Sequence, residues 1–206
     1  MPRKRPSGPW NKGKSVGQMR PLAPQQVQTI KRILEAEGNL RDVALFATAI
    51  DTMLRSVDLL RLTVEDVTDH EGRVRDEFTV RQRKTDTGNL VSLTPYARAA
   101  LERWIEDSRK VPWEPLFTGM RRSKQQALTT AQYRRLVKKW VSYARLDPRA
   151  YSSHSLRRTK AALIFEATRN IEVVRELLGQ SSVSATSAYL NVGKKRALEI
   201  VKKLEI

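Results

Sequence analysis

The chain has 206 residues, 40% of them hydrophobic, which is enough to build one buried core and argues against wholesale disorder. It has no cysteine, which excludes disulfides and thiolate metal sites, and its only two histidines are His70 and His154. No apolar run approaches the roughly 18 residues of a membrane span. Lys and Arg number 39 against 22 Asp and Glu, and the charge of +17 favours a polyanion such as nucleic acid, because each neutralised phosphate releases counterions.

Residues 1–23 are predicted to form a flexible basic arm ahead of a folded domain of residues 24–206. The start of the chain combines several Pro, Gly and Ser with cations and no acidic residue. These cations are Arg3, Lys4, Arg5, Lys12, Lys14 and Arg20. Such a segment buries too little apolar surface to fold alone. Two interpretations stay open, a strap along a groove of DNA and a solvated tail.

Helical periodicity begins at Pro24, and a second apolar stretch from Ala44 is predicted to continue as a helix through Leu62. This reading places Arg55 inside an apolar helix, where an unpaired charge would be costly. Asp58 lies three residues further on and can form a buried ion pair with Arg55. The same pairing would hold Arg55 ready for a phosphate, so the structural and the functional interpretation are compatible.

The composition of residues 72–94 predicts a β-hairpin. Two runs with strand composition, 78–80 and 90–93, flank Asp86-Thr87-Gly88, which is typical of a hairpin turn. Thr94-Pro95 then supplies the cap and the first-turn proline of another helix.

The second half of the chain is predicted to add a short buried strand, 115–117, and a polar basic loop with Arg121, Arg122 and Lys124. An amphipathic helix over 130–146 and two more over 155–167 and 171–178 follow, with Gly179 as a C-cap. The expected fold is mainly α with a small antiparallel β-sheet (α+β).

Three residues of the chain suggest chemistry on DNA. His154 and Arg157 stand three apart at the start of a helix, so they project from one face, and Tyr189 follows downstream. Cutting a phosphodiester without a metal needs a nucleophile, cations for the charge on phosphorus, and a proton for the leaving 5′ oxygen. Arginine suits the second task because its planar fork grips two phosphate oxygens at once. In a chain this basic, the set indicates an enzyme that attacks the DNA backbone with a phenol.

Three segments resemble motifs of the tyrosine recombinases, the phage-integrase family. They are Arg55-Ser56-Val57-Asp58-Leu59-Leu60-Arg61-Leu62 with Val64-Glu65-Asp66-Val67, His154-Ser155-Leu156-Arg157-Arg158-Thr159, and Leu177-Leu178-Gly179-Gln180-Ser181-Ser182 with Ser187-Ala188-Tyr189-Leu190. Their order and spacing match the family, and the resemblance runs from Pro24 to the C-terminus. It implies a tyrosine recombinase catalytic domain that forms a 3′-phosphotyrosyl link, frees a 5′ hydroxyl and reseals it without metal, ATP or any other cofactor.

The resemblance also assigns roles to individual residues. Arg55 and Arg157 become phosphate clamps, His154 a proton-handling or phosphate-bonding group, and Tyr189 the nucleophile. Asp58 matches the acidic position that supports the first arginine.

Two further assignments follow from the resemblance. Lys84 matches the hairpin lysine of the family, an acid for the leaving oxygen, although a loop lysine is more often only solvated. Gln180 stands where the family usually has histidine or tryptophan; its amide can still donate a hydrogen bond to phosphate but cannot carry a proton. The cations expected to contact DNA outside the reacting centre are Arg3, Lys4, Arg5, Lys12, Lys14, Arg83 and Arg158.

The expected partner is double-stranded DNA, on which the protein is expected to self-associate, from dimer to tetramer. No membrane contact is expected, and the expected location is the reducing cytoplasm of a bacterium, at the nucleoid. An apolar stripe predicts a C-terminal helix over about 195–206, packed either on its own domain or on a neighbouring protomer. Only 23 residues precede the first helix, which is too few for the N-terminal domain of many family members, so a stand-alone catalytic domain is expected. A DNA-binding regulator with weakened catalysis, and an enzyme that relaxes DNA or resolves hairpins by the same chemistry, are the alternatives.

Overall fold

Residues 19–119 and 126–190 are described by a computed structural model and form a mainly helical domain with one small sheet, as the sequence predicts. The helices are α1 (Pro24–Ala36), α2 (Leu40–Thr52), α3 (Ser56–Leu59), α4 (Val64–Val67), α5 (Pro95–Ser108), α6 (Thr130–Tyr143), α7 (Ser153–Thr168), α8 (Ile171–Leu177) and α9 (Val183–Leu190), with a 3-10 turn at Pro148–Ala150.

The predicted hairpin is confirmed. Strand β1 (Glu77–Arg81) runs antiparallel to β2 (Gly88–Ser92), with Phe78 opposite Val91 and Val80 opposite Asn89. Phe78 and Val80 are buried and their neighbours are exposed, which is the alternation that a strand with one solvated face requires. The six-residue connection, 82–87, closes when Gln82 N–H donates to the Thr87 carbonyl (2.9 Å).

Helix α2 lies at the centre of the core and is buried along its length, which is typical of a helix that is apolar around its circumference. It packs against α1, α5 and α7. The Phe46 ring meets the edge of Trp140 from α6, with ring centroids 5.5 Å apart. Helix α7, which carries His154 and Arg157, therefore rests on this central helix.

The prediction that α2 continues through Leu62 is wrong. Met53 adopts a left-handed conformation (φ 49°) and ends α2, and α3 begins only after Arg55, whose ψ of 149° is extended. A residue in the left-handed region directs the next amide out of the helical path, so the helix stops there. Arg55 consequently stands at a break between two helices, as the N-cap of α3, and not inside an apolar helix.

The strand predicted at 115–117 is also wrong, although Leu116 and Phe117 are buried as expected. Pro115 and Thr118 each form only an isolated bridge, to Thr63 and Ala127 respectively. Proline has no N–H to continue a ladder, so the pairing does not extend. Helix α6 ends at Tyr143 and not at 146, and Arg145 beyond it is left-handed (φ 55°).

Three predicted features lie outside the described residues. They are the arm cations Arg3, Lys4, Arg5, Lys12 and Lys14, the basic loop with Arg121, Arg122 and Lys124, and the C-terminal helix over about 195–206. The last part of the predicted arm, residues 19–23, is described and lies along α7: Leu22 N–H donates to Thr159 Oγ1 (3.0 Å), and Arg158 Nη1 donates to the Met19 carbonyl (2.9 Å).

A buried ionic network joins α2 to α6. Arg41 donates twice to one carboxylate oxygen of Asp42 (2.9 and 2.6 Å), and Trp140 Nε1 donates to the other (3.1 Å). Arg41 also reaches the Thr118 carbonyl (3.2 Å). Because both charges are buried, each depends on the other to offset its lost hydration.

Asp42→Ala should therefore lower the free energy of unfolding by about 3–5 kcal/mol, since it leaves the Arg41 charge buried and unpaired. Chemical denaturation measures the change. As a matched control, Lys139→Ala removes a solvent-exposed ion pair with Glu37 (3.4 Å) and should cost no more than about 1 kcal/mol. Equal losses in the two variants would contradict this account of the core.

Candidate active site

The first turns of α7 carry two of the predicted site residues, His154 and Arg157. Ser152 caps the helix: its hydroxyl accepts from His154 N–H (3.2 Å), and its own N–H donates to Ser155 Oγ (3.1 Å). His154 and Arg157 lie one turn apart on this helix. His154 is exposed, whereas Arg157 is buried at 4% exposure.

Arg157 reaches across to the end of α8. Its Nη2 donates to the Leu178 carbonyl (2.7 Å). A helix leaves its last carbonyls without intrahelical partners, so this guanidinium satisfies one of them. The contact holds α7 and α8 at a fixed separation beside the turn that leads to Gln180.

Arg55 is held from two sides at the break before α3. Its Nη1 donates to Gln82 Oε1 and lies 3.9 Å from Asp58 Oδ2. Asp58 is buried, and its other oxygen accepts from the Arg83 N–H (2.9 Å). The predicted ion pair between Arg55 and Asp58 is present, but it is long, and 23% of the Arg55 side chain remains open to solvent.

One hydrogen bond joins the two predicted arginine segments. Ser56 Oγ donates to Ser153 Oγ (2.9 Å), which links the residue after Arg55 to the residue before His154. Since Arg157 is one turn further along α7, this link brings Arg55, His154 and Arg157 to one region of the surface.

The electrostatics of His154 agree with that placement. Its pKa is lowered from 6.5, first because surrounding protein excludes part of its hydration and then because Arg157, Arg158 and Arg55 are nearby positive charges. A neutral imidazole is therefore favoured while the site is empty of anions. A bound phosphate would add negative charge and raise this pKa again.

The exposed loop of the hairpin carries Arg83 and Lys84. Lys84 forms no hydrogen bond or ion pair within the part of the chain that the structure describes, and it lies two residues beyond Gln82. Its role as an acid stays a prediction. Arg158 uses one guanidinium nitrogen to hold Met19, so it anchors the end of the predicted arm in addition to its predicted contact with DNA.

Gln180 connects the turn after α8 to α9. Its carbonyl accepts from Arg175 Nη1 (2.8 Å), and its Oε1 accepts from Thr186 Oγ1 (2.7 Å). Thr186 is buried on α9, and Tyr189 follows it by three residues on the same helix. The side chain of Tyr189 lies outside the described residues, so its role as the nucleophile stays a prediction.

Sequence reasoning missed Gln82 and Asn89. Gln82 is fully buried and accepts from Arg55, and Asn89 Nδ2 donates to the Leu177 carbonyl (3.4 Å). A signal for Gln82 was available: it continues the inward positions 78 and 80 by one more step of two, and a polar residue there needs a partner.

Across residues 19–119 and 126–190, no three or more His, Asp or Glu side chains cluster in a way that could hold a metal ion. In the same ranges, no helix combines the length and the apolar character needed to cross a bilayer.

Comparison with known proteins finds the phage integrase family over residues 20–196. Tyrosine recombinase XerC of Corynebacterium glutamicum is 30% identical over 172 residues, covering 81% of this chain and 52% of that protein. Tyrosine recombinase XerA of Pyrococcus horikoshii is 27% identical over 177 residues, covering 86% of this chain and 59% of that protein. The chain thus spans between half and two thirds of the length of these relatives.

Solved structures share the fold. The XerA recombinase matches with a TM-score of 0.71 at 19% identity, covering 100% of this chain and 67% of that one. The XerH site-specific recombinase bound to its difH substrate matches with a TM-score of 0.69 at 20% identity, covering 94% of this chain and 57% of that one.

The imidazole of His154 should titrate below 6.5 in the folded protein. Because the pKa is lower in the folded protein, the unfolded chain binds this proton first as the pH falls. The contribution of neutral His154 to the free energy of unfolding is therefore complete above pH 6.5 and declines below it. NMR titration of the ring protons measures the value, and the stability difference from His154→Gln should shrink on acidification. Arg158→Gln should raise the pKa, since one positive neighbour is gone. An apparent pKa at or above 6.5 would contradict the clustering of arginines around this ring.

Proposed function

We propose that this chain, which belongs to the phage integrase family, is the catalytic part of a site-specific DNA recombinase that cleaves and rejoins double-stranded DNA through a 3′-phosphotyrosyl intermediate. The observation that supports this most is the gathering of Arg55, His154 and Arg157, joined by the bond between Ser56 and Ser153. Their combined positive potential suits a phosphodiester, whose charge increases as it becomes pentacoordinate.

In the proposed reaction the Tyr189 oxygen attacks the scissile phosphorus. The new bond joins that oxygen to phosphorus, and the bond from phosphorus to the 5′ oxygen breaks. A phenol has a pKa of about 10, so a base must take its proton as the bond to phosphorus forms. Neutral His154 is the candidate for that base. Lys84 would give a proton to the departing 5′ oxygen.

Arg55 and Arg157 would bind the non-bridging oxygens and stabilise the charge that develops on them. Gln180 would donate from its amide nitrogen, since its oxygen already accepts from Thr186. Because the phosphotyrosine keeps the energy of the original bond, resealing with a second 5′ hydroxyl needs no ATP and no metal.

DNA binding is proposed from charge and from the relatives. The net charge of +17 gives strong non-specific attraction to phosphates, and the XerH structure contains its difH substrate. Self-association on DNA, from dimer to tetramer, remains part of the proposal. Arm cations would add contacts along the duplex, and Arg83 and Arg158 would add contacts near the site.

A second candidate function is a DNA-binding regulator with the same fold. One observation favours it: the Gln180 side chain is engaged by Thr186, which gives this residue a structural role where the family usually has histidine or tryptophan. Only a test for covalent chemistry separates the two candidates.

That test uses nicked duplexes from the DNA flanking the gene, chosen for inverted repeats, in which the freed 5′ fragment diffuses away and traps the covalent complex. The parent protein should become attached to DNA, and Tyr189→Phe should lower adduct formation by at least about 10³-fold while DNA binding is unchanged, because the variant lacks only the nucleophile. Denaturing gels and gel shifts provide the two readouts. Specific binding without any adduct would favour the regulator, and an adduct on Tyr189→Phe would reject this nucleophile.

The strap interpretation of the arm has its own test. Replacing Arg3, Lys4, Arg5, Lys12 and Lys14 by Gln should weaken DNA binding and flatten its salt dependence, by a slope of about 0.9 for each phosphate that the arm no longer neutralises. Affinities measured between low and moderate salt give the slope. Lys138→Gln and Lys139→Gln, on the exposed face of α6, serve as controls for charge alone. The same slope in arm and control variants would leave the arm a solvated tail.

A further inference from the structure

Gln82 lies wholly inside the protein, directly after β1 and two residues before Lys84. Its Oε1 accepts from Arg55 Nη1. Its Nε2 has no hydrogen-bond partner among the described residues and is buried. Burying an amide N–H without a hydrogen-bond partner costs free energy. The hydrogen bond from Arg55 to the Oε1 atom is therefore the interaction that accounts for a glutamine at this position.

The other side of the Gln82 amide packs on Gly179. Gly179 is left-handed (φ +57°), and a Cβ added there would overlap Gln82 Nε2 and approach Asn89 Oδ1 to 3.0 Å. Both the backbone conformation and the close approach of the hairpin therefore require glycine at this position. Any side chain at 179 would push the hairpin away from the turn after α8.

Two neighbours of Gly179 are fixed from other directions. The Leu177 carbonyl accepts from Asn89 Nδ2 of β2 (3.4 Å), and the Leu178 carbonyl accepts from Arg157 Nη2 (2.7 Å). The turn of residues 177–179 thus contacts the hairpin and the second arginine at once. Gln82 adds the first arginine to the same assembly.

We propose that Gln82 is a positioning residue: it fixes the Arg55 guanidinium relative to the 177–179 turn, and so sets the distance between the two arginines. The inference rests on the proposed recombinase activity and deepens it. Arg55 has no other short anchor among the described residues, because Asp58 is 3.9 Å away. The hydrogen bond between Gln82 and Arg55 also fixes the hairpin that carries Lys84 relative to Arg55. A displacement of the hairpin loop would therefore break the contact that positions the arginine.

The test measures single-turnover adduct formation and DNA affinity. Gln82→Met keeps the length of the side chain but removes the amide oxygen, so cleavage should slow by about 10–100-fold, the range expected when a reacting group is misplaced by about 1 Å. DNA affinity should change by no more than about threefold, because phosphate contacts elsewhere dominate it.

Thr79→Val is the matched control: it alters an exposed side chain of the same hairpin, on β1, that has no hydrogen bond to Arg55 or to the 177–179 turn among the described residues. It should slow cleavage by no more than about threefold. A double-mutant cycle then asks whether Gln82 acts through Arg55. In an Arg55→Lys background, Gln82→Met should slow cleavage no further.

Three results would overturn the inference: Gln82→Met with parental cleavage, equal loss in Thr79→Val, or effects that multiply in the double variant. If Gln82→Met does not fold, Gln82→Glu takes its place, since its carboxylate still accepts from Arg55. It should retain at least about a tenth of parental cleavage, and a lower rate in the folded variant rejects the proposal. If the parent protein itself forms no adduct, the proposed function fails, and not this inference alone.

Discussion

The hydrogen bond from Arg157 to the Leu178 carbonyl ties the helix that carries His154 to the turn from which α9 departs. Because Arg157 is buried, its side chain has few alternative positions, and the turn cannot move without disturbing α7. Gln180 follows this turn directly and bonds to Thr186 on α9. The position of α9, and of the backbone at Tyr189 on it, therefore depends on the same contact.

Charge is the second constraint on the site. Arg55, Arg157 and Arg158 all act on His154, and such a group of cations repels itself unless an anion is present. Asp58 supplies a buried negative charge near Arg55. A phosphate entering between these cations would be attracted by them, which is what the proposed phosphoryl-transfer reaction requires.

The local features of this fold could be predicted from sequence, because periodicity and capping determine them. Strand composition on both sides of Asp86-Thr87-Gly88 indicated the hairpin, and Thr94 with Pro95 marked the start of α5. The end of α2 could not be predicted, since no Gly or Pro precedes Arg55. Met53 packs in a small cluster with residues of α7 and α8 (Ala161, Val174 and Leu178). Tertiary packing therefore sets the break and overrides the local helical pattern.

The candidate site shows the same division. Residues of the site could be chosen by resemblance, but their partners could not: Gln82 meets Arg55 across 27 positions and Ser56 meets Ser153 across 97. Such pairs depend on how helices pack, which a single sequence does not encode in any short-range pattern. Gln180 is an example: the motif identifies the residue, but it does not predict that the amide oxygen accepts a hydrogen bond from Thr186.

The decisive measurement is a structure of the protein bound to DNA, captured with an uncleaved scissile phosphate. One phosphorus atom should then have its oxygens within about 3 Å of the guanidinium groups of Arg55 and Arg157 and of the His154 ring. The Tyr189 hydroxyl should face that phosphorus, opposite the 5′ oxygen. A phosphate bound away from these arginines, or a Tyr189 hydroxyl enclosed in the core without a path to phosphorus, would contradict this arrangement.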